Sequence, residues 1–202
     1  MRYLTALIML YLCMSQSFIL HADTQPEARG SIQKFQYKAA LNASQAAIGN
    51  QLSEYRFTNE QGRGVSLSDL QGKPLVLSLV YTSCYQICPM TTRYLSTVVE
   101  KARKTLGEDQ FSVALLGFDS QFDDPLAMKH FAKKQGVDNA GWHLLSADAK
   151  TINALSKELG FLFFSSPNGF DHVVQVTIID AQGKIYRQVY GEVFDTPLLI
   201  EP

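Results

Sequence analysis

The sequence predicts an α/β body: an open mixed sheet with helices on both faces. Three observations carry that expectation. Apolar runs of strand length alternate with amphipathic segments, the chain closes on a strand–turn–strand pair, and 46% hydrophobic residues in 202 are enough for one good core. With 18 basic against 19 acidic residues and a net charge of −1, nothing favours holding a polyphosphate, so nucleic-acid binding is excluded as a role.

The first element is a leader. Met1-Arg2-Tyr3 precedes an apolar stretch over residues 4–20, broken by Ser15-Gln16-Ser17 and followed by His21-Ala22-Asp23. A basic start, an apolar centre and a small residue at Ala22 predict export, with residues 1–22 either removed as a signal peptide or kept as a membrane anchor. No small residue stands directly before Cys13, which argues against lipid attachment there. Residues 23–50 are rich in Ala, Gln and Ser and read as a linker with one short helix over 39–48.

The folded domain is expected over 51–202. Residues 55–58 and 65–67, around Asn59-Glu60-Gln61-Gly62, predict a hairpin. Residues 75–81 form a nearly continuous apolar run, the pattern of a strand buried on both faces. Pro89 sits as a first helical residue, and Met90, Tyr94, Leu95, Val98, Val99, Ala102 and Leu106 follow at helical spacing until Gly107. A second buried strand covers 111–118, and Asp124-Pro125 opens a helix to about Gln135. An extended piece at 142–145 and a helix over 148–159 follow, bounded by Gly160. Residues 161–164, a loop over 165–171, a strand over 172–179, a turn and a strand over 184–190 complete the body.

Loss of the leader takes Cys13 with it and leaves Cys84 and Cys88 as the cysteines of the exported domain. A bridge between residues four apart closes too small a loop to stabilise much, so the pair points to chemistry. It lies in Cys84-Tyr85-Gln86-Ile87-Cys88-Pro89, between a strand and a helix N-terminus, where free N–H groups and the helix dipole favour thiolate. The spacing allows either a shared metal ion or a disulfide and does not separate them.

Three histidines remain as further donors. His130, between Lys129 and Phe131, reads as a wet helix-face residue, and His143, after Trp142, as a packing or capping residue. His172 follows the irregular stretch Ser166-Pro167-Asn168-Gly169-Phe170-Asp171 and heads an apolar strand with Val174, Val176 and Ile178 on its face. An imidazole there is either a hydrogen-bonded rim residue or a ligand.

From about Gly49 to Glu192 the sequence resembles the SCO/SenC family of thioredoxin-like copper chaperones that serve cytochrome c oxidase. The resemblance runs in order through Gly72-Lys73-Pro74, Tyr81-Thr82-Ser83-Cys84, Cys88-Pro89, Asp119 to Asp123 with Pro125, and His172 before Val176-Thr177-Ile178-Ile179-Asp180. It implies a thioredoxin-like fold and one copper ion held by Cys84, Cys88 and His172, a donor set of thiolates and imidazole that selects copper. It also implies delivery to the copper-binding subunit of the oxidase or to another copper or thiol protein. The site would face the periplasm, or the intermembrane space in a mitochondrion. Asp119 and Asp123 resemble the family's acidic segment near the site, although capping explains Asp123 and Asp124 equally well.

Two departures stand out. Many members carry proline after the first cysteine, where this chain has Tyr85, a bulky phenol that alters loop stiffness and partner fit. After Thr196-Pro197, Leu198, Leu199 and Ile200 supply only a first turn of a closing helix, so either the domain lacks its full C-terminal helix, leaving an apolar strip exposed, or the chain is a fragment of a longer one. A peroxidase reading needs a Thr three and a Pro seven positions before the attacking cysteine, and neither Cys84 nor Cys88 has them. An exported thiol–disulfide oxidoreductase acting on partner cysteines remains the alternative.

Overall fold

The computed structural model describes residues 35–137 and 141–193, together with Pro197. The expected leader and the closing turn at Leu198, Leu199 and Ile200 lie outside the described residues. Among the described residues, no helix is long and apolar enough to cross a membrane.

Helix α1 (Tyr37–Ala46) comes first. Strands β1 (Arg56–Asn59) and β2 (Gly64–Ser66) form the expected hairpin, and a 3₁₀ turn over Leu67–Leu70 leads to β3 (Leu75–Val80). Helix α2 (Ile87–Leu106), β4 (Ser112–Gly117), α3 (Pro125–Gln135), β5 (Trp142–Ser146) and α4 (Ala149–Leu159) follow. The chain continues through β6 (Phe163–Ser166), β7 (Gly169–His172), β8 (Gln175–Ile179) and β9 (Ile185–Tyr190).

Seven strands form the main sheet in the order β2-β1-β5-β4-β3-β8-β9. Strand β4 pairs parallel with both β3 and β5, whereas β8 pairs antiparallel with β3 and β9. Every residue of β3, β4 and β8 is buried, so these central strands need cover on both faces. Helix α2 supplies part of it through Leu95, Val98, Val99 and Ala102, the i, i+3, i+4, i+7 positions of one face. Asp124 and Asp148 cap α3 and α4 by accepting from the Ala127 and Thr151 amides at 2.7 Å.

Three differences from the sequence reading bear on function. Helix α2 begins at Ile87, two residues before Pro89, which places Cys88 in its first turn. Proline is tolerated there because first-turn amides have no intrahelical acceptor. His172 ends β7 instead of heading the next-to-last strand, and Val173 and Val174 separate it from β8. The stretch 163–172 folds as its own two-stranded hairpin, with Phe163 opposite His172 and Ser166 opposite Gly169. The mixed aromatic and polar residues there pair with each other, not with the main sheet.

The described part of the expected linker is folded onto the body. Ala40 and Ser44 of α1 are buried, and Ser44 Oγ lies 2.8 Å from the Tyr190 hydroxyl. The Gly49 amide donates to Ile185 O at 2.8 Å, and the Ile185 amide donates to Asn50 O at 2.9 Å. Small side chains let α1 approach closely: a Cβ on Gly160 would collide with the Ala43 carbonyl, and Gly160 has φ +64°. Gly160→Ala is therefore expected to destabilise the domain by about 1–3 kcal/mol through overpacking and left-handed strain, measurable as a lowered urea midpoint with unchanged slope.

Candidate metal and thiol centre

The site lies where β3 delivers the chain to α2. Its scaffold is a buried carboxylate. Asp123, 2% exposed, accepts the Thr82 amide and the Thr82 hydroxyl at 2.8 Å each through one oxygen, and the Asp119 amide at 2.8 Å through the other. Burial raises its pKa while these three donors oppose the shift. A side chain at Gly117 would collide with the Asp123 Cβ and come within 2.9 Å of Met128 Sδ, so only glycine fits at the end of β4. Asp123 thus ties the loop after β3 to the loop after β4.

That tie positions the two cysteines differently. Cys84 is half-buried and closes a turn by donating its amide to Tyr81 O at 3.1 Å, whereas Cys88 is 4% exposed. Both are free thiols, and the Cys88 amide donates to Cys84 Sγ at 3.3 Å. The Cys88 thiol, the amides of Cys88 and Gln86 and the Tyr81 hydroxyl all stabilise a Cys84 thiolate against burial, and its pKa falls to about 4. The pKa of Cys88 moves up because its proton is held by Cys84 and because it is buried, with Asp123 adding to the shift. The pair is therefore one thiolate and one thiol around neutral pH.

His172 occupies the same end, inside an aromatic cage. Its ring centroid lies 5.3 Å from Phe161, 5.5 Å from Phe118 and 6.3 Å from Tyr81. Nδ1 lies 2.9 Å from Val173 O; a carbonyl only accepts, so Nδ1 carries the hydrogen and Nε2 keeps its lone pair. Burial lowers the pKa of His172, which keeps the ring neutral. His172 and Cys88 both line a narrow cleft of about 10 Å³. Even so, no three His, Cys, Asp or Glu side chains among the described residues stand in ligating positions around one point. The donor types suit a soft metal ion, and the cysteines already touch. The histidine is near them but does not close the set.

Other predicted positions fall around this centre. Tyr85 is 83% exposed between the cysteines. Asp119 contributes its amide to Asp123, whose carboxylate is engaged by Thr82 and Asp119 and caps no helix, the cap being Asp124. His143 sits on β5 beside Lys73 and Glu60, with its pKa lowered mainly by burial. His130 is exposed on α3. The sequence reading missed Tyr81, whose hydroxyl bonds to Cys84, and Phe118, which contacts Tyr81, Phe161, Phe163, Phe170 and His172. The density of phenylalanines over 161–170 was the available signal.

A family model described as SCO1/SenC matches residues 43–198. The SCO1 protein homolog of Bacillus subtilis (strain 168) is 24% identical over 156 residues, 74% of this chain and 78% of the relative. The solved structure of Bradyrhizobium japonicum ScoI with copper bound is similar at TM-score 0.62 and 21% identity, covering 74% of this chain and 92% of that one. BsSco, described as carrying a disulfide switch and as a member of the Sco family of cytochrome c oxidase assembly proteins, is similar at TM-score 0.64 and 21% identity, covering 74% and 88%. These two structural likenesses establish the thioredoxin-like fold.

The asymmetry of the thiols is directly measurable. Iodoacetamide should carboxamidomethylate Cys84 already at pH 5–6, reflecting its pKa of about 4, and leave the buried Cys88 thiol unmodified at that pH, as read by peptide mass spectrometry. Cys88→Ala should shift the Cys84 profile upward by about 1–2 pH units, since it removes the largest stabilising hydrogen bond.

Proposed function

The chain belongs to the SCO1/SenC family, and from that premise we propose that it is a copper chaperone, taking one copper ion between Cys84, Cys88 and His172 and passing it to the copper site of cytochrome c oxidase. The observation that carries this reading is the meeting, at one end of the sheet, of a half-exposed thiolate, a buried cysteine whose amide donates to it, and an imidazole whose Nε2 lone pair is free. Thiolates and a neutral imidazole are the donor set that selects a soft copper ion. The copper held by a structurally similar ScoI and the oxidase-assembly role of the family to which BsSco is assigned support the same reading.

Copper is cargo here, and its transfer is ligand exchange with no covalent bond made in a substrate. Cys84, deprotonated beforehand and reachable, takes the ion first; Cys88 gives up its proton on joining, and His172 closes the set by a local shift toward the sulfurs. Release runs in the opposite order, each protein ligand being replaced by a partner's cysteine, so the ion is never free. Tyr85, exposed between the ligands, is the first surface the partner meets. Residues 1–22 would carry the domain out of the cytoplasm or anchor it on the outer face of the membrane.

A second reading, dithiol exchange with partner disulfides, is favoured by one observation: the Cys88 amide donates to the Cys84 sulfur and the Cys88 side chain supports the Cys84 thiolate, while the histidine is not in ligating position. In that reaction the Cys84 thiolate attacks one partner sulfur and expels the other. Cys88 then displaces the bound partner sulfur, leaving a Cys84–Cys88 disulfide and two reduced partner thiols.

Copper analysis of the reduced protein separates the two. About one copper per chain is expected, lost in Cys84→Ser with Cys88→Ser and lost when the pair is oxidised, because a disulfide offers no thiolate. His172→Ala should weaken copper binding while still allowing the disulfide to form. Copper retention unaffected by His172→Ala, with slower exchange on protein disulfides, would establish the oxidoreductase reading in its place.

A further inference from the structure

Cys84 also borders a second cleft, of about 420 Å³, that His172 does not line. This groove runs between the first turns of α2 and one face of α3. Ala127, Phe131 and Lys134 recur at helical spacing along α3, and Pro89 and Arg93 lie four apart on α2. Phe131, 6% exposed, is an apolar floor, while Arg93, His130 and Lys134 stand exposed at its walls. No Asp or Glu is among its described lining residues, although the chain as a whole carries one more acidic than basic residue. Arg93 is also held in place: it donates to Oε1 of Gln135, itself only 6% exposed. The cations are therefore concentrated beside Cys84, the more accessible of the two described cysteines.

We propose that this groove seats an acidic segment of the partner polypeptide whose cysteine exchanges at Cys84. Arg93 and Lys134 pair with carboxylates flanking that cysteine, and the floor at Ala127 and Phe131 takes an apolar side chain between them. Opposite charge at the rim raises the rate of encounter and selects among partners more than it adds affinity. The inference rests on the reading that Cys84 is the point where a partner's sulfur arrives, and it holds for copper transfer and for disulfide exchange alike.

The test uses the reduced, metal-free protein and two short peptides, each with a single cysteine joined to thionitrobenzoate by a disulfide. One has aspartates around the cysteine and the other asparagines at the same positions. The Cys84 thiolate attacks the peptide sulfur, forming a Cys84–peptide disulfide and expelling coloured thionitrobenzoate. Cys88 then loses its proton to solvent and displaces the peptide as a thiolate, so the two electrons lost by the dithiol equal those gained by the broken disulfide.

The aspartate peptide should release thionitrobenzoate about tenfold faster than the asparagine peptide at low ionic strength, an advantage that added salt removes. Lys134→Gln and Arg93→Gln should each reduce that ratio severalfold. Because the ratio is taken within one protein, any change in the intrinsic reactivity of Cys84 cancels, and Lys134→Gln leaves the Arg93–Gln135 contact in place. Equal rates for the two peptides, or a ratio unchanged in both variants, would overturn the proposal. Failure to bind copper with the peptide preference intact would instead count against the chaperone reading alone.

Discussion

Burying a carboxylate is unfavourable unless its oxygens are satisfied by donors, and Asp123 meets that condition with three of them drawn from two separate loops. Its position is determined from three sides: Thr82 after β3, Asp119 after β4, and Gly117, whose lack of a side chain leaves room for it. Once the loop after β3 is fixed there, Cys84 must turn back on Tyr81 and Cys88 must enter the first turn of α2. The unequal ionisation of the two sulfurs follows from that placement. The outer one collects amides and a hydroxyl, and the inner one lies in apolar packing beside a thiolate and a carboxylate.

Much of this was legible in the sequence because strands buried on both faces leave a plain trace. Residues 75–81 and 111–118 are apolar on both faces save for Ser78 and Ser112, and the caps at Asp124 and Asp148 bracket their helices cleanly. The cysteine pair was legible from its place between such a strand and a helix. Helix α1 was placed within two residues, but its docking was not visible, because the Ala, Ser and Gln residues that allow close approach also give the composition of a linker. The β6–β7 hairpin escaped for a related reason: four-residue strands of mixed aromatic and polar residues have no decisive period.

The site itself was legible as a list of donors and not as an arrangement. Sequence order placed His172 near the last apolar strand, but nothing in spacing could say that its ring would stand among Phe118, Phe161 and Tyr81 with Nδ1 engaged by Val173 O. Tyr81 reads as the last residue of a buried strand, which it nearly is, and only the fold shows its hydroxyl against Cys84. Asp123 was marked as part of an acidic segment near the site, but its burial was not visible, since carboxylates are ordinarily solvent-facing and that burial depends on partners 4 and 41 positions away.

The histidine stands on a two-stranded hairpin that shares no ladder with the main sheet, whereas the cysteines are bound to that sheet through β3 and to α2. In mechanical terms the three donors are mounted on two bodies. The thiol body is stiff, because moving it would shear parallel strands past one another. The imidazole body is a lever, retained by ring-on-ring contacts that are each worth about 0.5–1.5 kcal/mol and by the hydrogen bond that the Phe170 amide gives the Tyr81 hydroxyl. In the proposed copper site, closing the donor set would therefore bring one arm against a fixed jaw, with the aromatic bearing beneath the hairpin setting its ease.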